Sequence, residues 1–254
     1  MSLERDRSER TPVDREREPG VVSFRQLLID TALSDNLAVP ETIRGLDLNE
    51  GRFNQDAERL LDESIRDTNG HERGIEVYVT SDKKVLVRNK SLIGFNHSAG
   101  KGVEIMVNIS TVNNHLQLPR RHRQDRYLAS IIHSHGVHDL PPSFPDLQGL
   151  FFSPDSIRAL PIIFVITTGR KILVARTAKT PHLTEQQLME KNYRWIAYIE
   201  HQFRSQMKWF MRREERRELE NKIQTGVLRG IVKDNHLMLF CGDSTDDIVY
   251  RVDI

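Results

Sequence analysis

The chain has 254 residues, 29% charged and 38% hydrophobic, and its 37 Lys and Arg against 36 Asp and Glu leave a net charge of +1. That is one domain with appendages or two small ones, with chain enough to bury a real core. The charge balance excludes the broad field of a nucleic-acid coat protein or a polybasic membrane binder, the lone Cys241 excludes an intrachain disulfide or cysteine-rich zinc cluster, and no apolar run reaches the length of a membrane span.

Residues 1–20 mix both charges with almost no apolar side chains, so they are expected to stay disordered. The first residues also lack the apolar core of a signal peptide, so a soluble, cytoplasmic protein is expected. Residues 21–50 carry a short apolar stretch (Val21, Val22, Phe24, Leu27, Leu28, Ile29) and read as a docking arm. Ala57, Leu60, Leu61 and Ile65 recur at helical spacing over 54–68, with Asn69-Gly70 as the stop. Two strands, IEVYV and VLVR, follow within 74–88 around a polar turn at Ser81–Lys84. VEIMVNI (103–109) is a further strand. RRHRQDR (120–126) is a solvated loop. YLASIIHS (127–134) is an apolar strand that runs into histidines.

Residues 147–160 are expected to be helical with a break at Pro154, and IIFVITT and KILVAR to form two strands joined at Gly169-Arg170. Thr184-Glu-Gln-Gln187 is a capping-box signature. It opens a long helix with a stripe of Leu188, Trp195, Ile196, Ile199, Phe203, Met207 and Phe210, a face for packing or for a homodimer. The charged run RREERRELENK continues it as a solvated helix that Gly226 ends. VLRGIV, HLMLFC and IVYRV then read as strands. The order of elements predicts an α/β (α+β) fold, a mixed sheet flanked by helices with a C-terminal long helix plus strands.

The chemistry lies in IIHSHGVHDLPPSFPD (131–146). His133 and His135 are two apart at the end of a strand, so both imidazoles can point at one spot. Asp146 can add an oxygen ligand. Two His and one carboxylate, leaving a fourth position for water, is a catalytic rather than a structural zinc set. Ser143-Phe-Pro-Asp146 is also a plain capping box, and a helix start would fix the direction of both side chains. His138 suggests a rival, the His-x-His-x-Asp-His pattern of metallo-β-lactamase-fold hydrolases, but Val137 stands where that pattern needs aspartate.

His133-x-His135, seven residues, then Ser143-x-x-Asp146 resembles the motif of the JAMM (MPN-plus) zinc metalloproteases, of the prokaryotic deubiquitinase-like type. The resemblance spans roughly residues 54–181, with Gly136 where the family usually has proline. It implies a JAMM/cytidine-deaminase-like fold over 51–182, an N-terminal arm over 21–50 and a C-terminal helix and β-hairpin extension over 183–254. It implies a glutamate just after a helix and at the start of the first strand. Glu72 fits that layout, Glu76 is the alternative, and Glu104, mid-strand, fits less well. The implied activity is hydrolysis of a peptide or isopeptide bond after the C-terminal glycine of a ubiquitin-like protein or its conjugates. The resemblance implies Zn2+ held by His133, His135 and Asp146, with Glu72 as the general base and Ser143 steadying the oxyanion. Neither nucleic acid nor membrane is an expected partner. Two alternatives stand beside it, a non-catalytic scaffold of the same fold and a zinc amidohydrolase with another substrate.

Overall fold

The computed structural model describes residues 4–6, 18–35, 37–67, 72–88, 92–93, 126–135, 139–151 and 159–254. Among them the fold is mixed α/β. A single mixed, curled sheet runs β1 (Glu4–Asp6), β5 (Val85–Arg88), β4 (Arg73–Thr80), β7 (Arg126–Ser134), β8 (Ile162–Ile166), β9 (Arg170–Arg176), β10 (Leu237–Asp243), β11 (Ile248–Val252), β3 (Gly45–Asp47), β2 (Val21–Ser23). The short β6 (Leu92–Ile93) pairs with β4. Neighbours are antiparallel except β7 with β8 and β2 with β3.

Alternation along the central strands serves two cores. Phe164, Leu173, Ala175, Met238 and Phe240 face one way, against α1 (Phe24–Ala32) and α2 (Phe53–Arg66). Ile163, Val165, Ile172, Val174 and Leu239 face the other. That side is covered by α3 (Phe144–Leu147), α4 (Glu185–Gln206) and α5 (Arg213–Asp234). A strand covered on both faces has no polar side to show, which is why Ile162–Ile166 reads as an unbroken apolar run.

The expected helix after residue 53, the hairpin over 74–88, the strand into His133, and the strand pair over 162–176 all form. So does the capping box: Gln187 N–H donates to Thr184 Oγ1 at 3.3 Å, and Thr184 N–H to Gln187 Oε1 at 2.9 Å. The Asn69-Gly70 stop, the strand over 103–109 and the basic loop up to residue 125 lie outside the described residues.

Five expectations change. Residues 4–6, inside the stretch read as disordered, pair with β5 in the register Glu4↔Arg88. An edge strand offers free backbone groups, and pairing with it needs no apolar side chains. The arm over 21–50 supplies β2, β3 and α1 to the body of the fold. Its Phe24 is fully buried, edge-on to both Phe53 and Phe164. The C-terminal strands are likewise not an extension, since β10 lies on β9 and β11 on β3.

Finally, Gly226 does not end its helix. α5 continues to Asp234, and VLRGIV is helical rather than extended. Val227, Leu228, Ile231 and Val232 fall on one helical face and pack into the second core. That burial outweighs the roughly 1 kcal/mol that each mid-helix glycine costs. The other departure in this region is a break over Met207–Arg212, which divides the long helical stretch into two.

Replacing Phe24 by alanine is expected to remove about 3–5 kcal/mol of stability in a denaturant titration. A loss below 1 kcal/mol would show that the arm merely rests on the core.

Candidate metal centre

β7 carries the two histidines to the sheet's rim. Gly74 of β4 faces His133 on one side and Val165 of β8 on the other. The backbone N–H of His135 then donates to Ile166 O at 3.0 Å, so pairing persists past the strand's end. Between the two histidines, Ser134 turns to the opposite face. Its hydroxyl accepts the Arg73 N–H at 3.2 Å, which ties down the residue after Glu72. Arg73 also bonds Asp67 at the end of α2 (2.5 Å).

Asp146 comes from α3, which packs Phe144 and Leu147 into the second core. Its Oδ2 accepts both the Ser143 N–H and the Ser143 hydroxyl at 2.6 Å. These bonds hold the carboxylate against the imidazoles. His133 Nε2 lies 3.1 Å from His135 Nε2. Asp146 Oδ1 lies 3.5 Å from His133 Nε2, and Oδ2 lies 3.5 Å from His135 Nε2. All three groups can present ligand atoms within 4.8 Å of one another, so His133, His135 and Asp146 could hold a metal ion. Bonds of about 2.0–2.1 Å to a tetrahedral ion put its ligand atoms roughly 3.3–3.4 Å apart, close to the histidine pair and to the distance from each histidine to its own nearer Asp146 oxygen.

Tautomers agree with this. A carbonyl can only accept, so His135 donates Nδ1–H to Leu140 O (2.8 Å), and in the neutral ring the Nε2 lone pair is left for a cation. Burial works against charge on His135. The hydrogen bond and charge of Asp146, then the charge of Glu72 and the Leu140 carbonyl, overcome it and raise the pKa to about 9. Burial also works against the Asp146 carboxylate, but hydrogen bonds and charge from the two histidines hold it well below the usual carboxylate range. Both shifts describe one site that favours a positive charge at Nε2, be it a proton or a metal ion.

Glu72 is half-buried, directly before β4, and its charge acts on His135. Glu76 pairs across from Ile131, farther down the strand, and accepts a hydrogen bond from the Tyr78 hydroxyl at 3.0 Å. Glu104 and His138 lie outside the described residues. The structure thus brings His133, His135, Ser143 and Asp146 together, with Glu72 near enough for its charge to act on His135.

A further layer escaped the sequence reading. The turn between β8 and β9 grips Asp139, next to Leu140. The Thr167 hydroxyl donates to Asp139 Oδ1, as does Arg170 Nε at 3.4 Å, and Arg170 NH2 reaches Asp139 O at 3.0 Å. Arg170 NH2 also donates to Asn221 Oδ1 on α5 at 2.9 Å. Gly169 leaves room for this approach, since a Cβ there would stand 3.0 Å from Asp139 Oδ2, tighter than ordinary van der Waals contact. The Gly169-Arg170 turn was visible in the sequence, but nothing local tied it to a loop about 30 residues earlier.

No family model, no curated protein and no solved structure matches the chain.

Because His135 holds its proton up to about pH 9, metal binding must displace it. Apparent zinc affinity is therefore expected to rise about tenfold per pH unit from neutrality and to level off above pH 9. Competition with a chelator dye across that range measures it, and a flat profile would contradict the assignment of His135.

Proposed function

We propose that the chain is a zinc-dependent hydrolase of peptide or isopeptide bonds, related to the JAMM metalloproteases. The observation that carries the reading is the His133, His135 and Asp146 cluster, with donor separations of 3.1 and 3.5 Å and Glu72 at its side. Its setting supports it. α2 leads towards β4, β4 pairs with the strand bearing His-x-His, and Ser-x-x-Asp opens a helix packed on the same face. This is the order that the resemblance implies.

His133, His135 and Asp146 would hold a zinc ion, which when bound would supply an activated water and polarise the substrate carbonyl. Glu72 receives the water's proton and delivers it to the leaving amine. His135 is fixed in rotation by Ile166 O and Leu140 O, so its lone pair stays aimed at the ion. Ser143 holds Asp146 through both its N–H and its hydroxyl. To steady an oxyanion the hydroxyl must turn from Asp146 to the substrate, and the backbone bond keeps the carboxylate in place when it does.

The substrate class rests on the resemblance alone: the C-terminal glycine of a ubiquitin-like protein, joined to a lysine or to a following chain. Work in the cytoplasm accords with this, and no described helix is long and apolar enough to cross a membrane.

The purified chain is expected to carry about one zinc. Glu72→Gln is expected to retain the metal while hydrolysis of a ubiquitin-like fusion falls about 10²–10⁴-fold. Full activity in that variant alongside a dead Glu76→Gln would move the base to Glu76. A chain without zinc, with a melting temperature indifferent to chelator, would favour the scaffold instead.

A further inference from the structure

α4 and α5 form an antiparallel hairpin whose two ends differ. At the base, Leu188, Ile223, Val227, Leu228, Ile231 and Val232 are buried in the second core. Towards the turn the burial stops, and nearly every residue from 204 to 218 is exposed. The turn itself reads Met207-Lys-Trp-Phe-Met211, closed by Met211 N–H on Lys208 O at 3.1 Å. Trp209 is 90% exposed, Phe210 63% and Met207 41%. These side chains contribute nothing to the fold that would keep them, and exposed large apolar groups clustered at one point mark an interaction site.

The whole-chain charge of +1 conceals what surrounds them. Across 204–218 stand six basic residues, Arg204, Lys208, Arg212, Arg213, Arg216 and Arg217, against Glu214, Glu215 and Glu218, and Arg204 is paired with Glu200 at 3.4 Å. Glu214 and Glu215 lie in the first turn of α5, where Glu215 accepts the Arg212 N–H at 2.8 Å. Lys208, Arg212 and Arg213, next to the two rings, have no acidic residue among 201–213. The prong therefore ends in an apolar tip with a basic collar.

We infer that this tip docks on an anionic lipid surface, inserting Trp209 and Phe210 at the headgroup level while the collar meets the lipid charge. Indole and phenyl rings favour that depth, and juxtaposed Lys and Arg add attraction to acidic lipids. Three other occupants fit less well. Stacked nucleic-acid bases need open parallel ring faces. Here Trp209 and Phe210 are perpendicular, and Lys208 Nζ sits 5.9 Å over the Phe210 ring. A second copy docking tip to tip would bring two basic collars together. A protein groove would have to supply acidic rims around an apolar slot, whereas a bilayer presents both layers without any matching of shape. The docking is peripheral, since neither helix can span a membrane. It is a local exception to the overall charge argument against polybasic membrane binders.

The test is sedimentation of the full chain with vesicles of phosphatidylcholine, alone or mixed with phosphatidylserine. Trp209 emission is followed in parallel, as the difference from Trp209→Phe. The expected result is binding to the mixed vesicles, with a blue shift of Trp209 and loss at high salt. A Trp209→Ala, Phe210→Ala double variant and an Arg212→Glu, Arg213→Glu double variant should each bind about tenfold more weakly or worse. All four positions are exposed, and unchanged circular dichroism and melting temperature confirm folding. Absence of binding overturns the inference, and so does equal binding by either variant. A tip-dependent dimer in sedimentation equilibrium, or tip-dependent binding of an oligonucleotide or protein without vesicle binding, also overturns it. None of these readouts depends on zinc or hydrolysis.

Discussion

The position of the site depends on one irregularity in the pairing of β4 with β7. The register slips between Val77 and Tyr78, which face Ser130 and Leu128, so Ala129 is left as an extra residue. Leu128 lies on the face of the second core, and so does Ile131, although an odd number of steps separates them. Without the bulge the alternation would run on unbroken, and His133 and His135 would point into the core beneath α1 and α2. With it, both histidines emerge on the side where α3 brings Asp146. β8 then locks the phase from the other edge through parallel pairing up to Ser134 and Ile166. Two-sided pairing removes the freedom to twist that a loop would have, and a cluster with separations of 3.1–3.5 Å needs that rigidity.

Given that placement, electrostatics narrows what the site can accept. Two imidazoles and a carboxylate, mostly removed from water, leave negative charge and lone pairs converging on a small volume. Arg170, on the turn that supports the site, has its Nε aimed at Asp139, with Thr167 as a second donor to the same oxygen. The same contact fixes the stretch that presents the Leu140 carbonyl to His135. Ring orientation and tautomer both follow from the way this turn holds the stretch that carries Leu140.

Sequence patterns reveal whatever is local. His133, His135, Ser143 and Asp146 were legible because strand alternation and a helix start govern them within fourteen residues. Glu72 was legible only by layout, as the carboxylate following a helix and opening a strand. What stayed hidden is set by long-range contacts. VLRGIV has the β-branched content of a strand, and Gly226 just before it reads as a helix stop. Only the second core, assembled from α3, α4 and strands β7 to β11, makes the helical face the one worth burying. The arm was misjudged for the same reason, since Phe24 finds its partners Phe53 and Phe164 about 30 and 140 residues away. Arg170 and Asn221 carry no motif, and their roles exist only once β9 and α5 stand side by side.

The ends of the chain are therefore structural members rather than attachments. β10 and β11 bridge from β9 to β3, so residues 45–47 and 248–252 complete a sheet whose centre holds the histidines. α5 reaches the site as well, through Asn221, Arg170 and Asp139 to the loop behind His135. Its first turns, residues 213–218, do the opposite and stand exposed, away from both cores. A helix that is anchored at one end and bare at the other cannot be explained by packing alone. The anchored half is shaped by the core and by the polar chain to His135. The bare turns, which lead to Trp209, bury nothing in either core, and their exposure is what the proposed lipid docking accounts for.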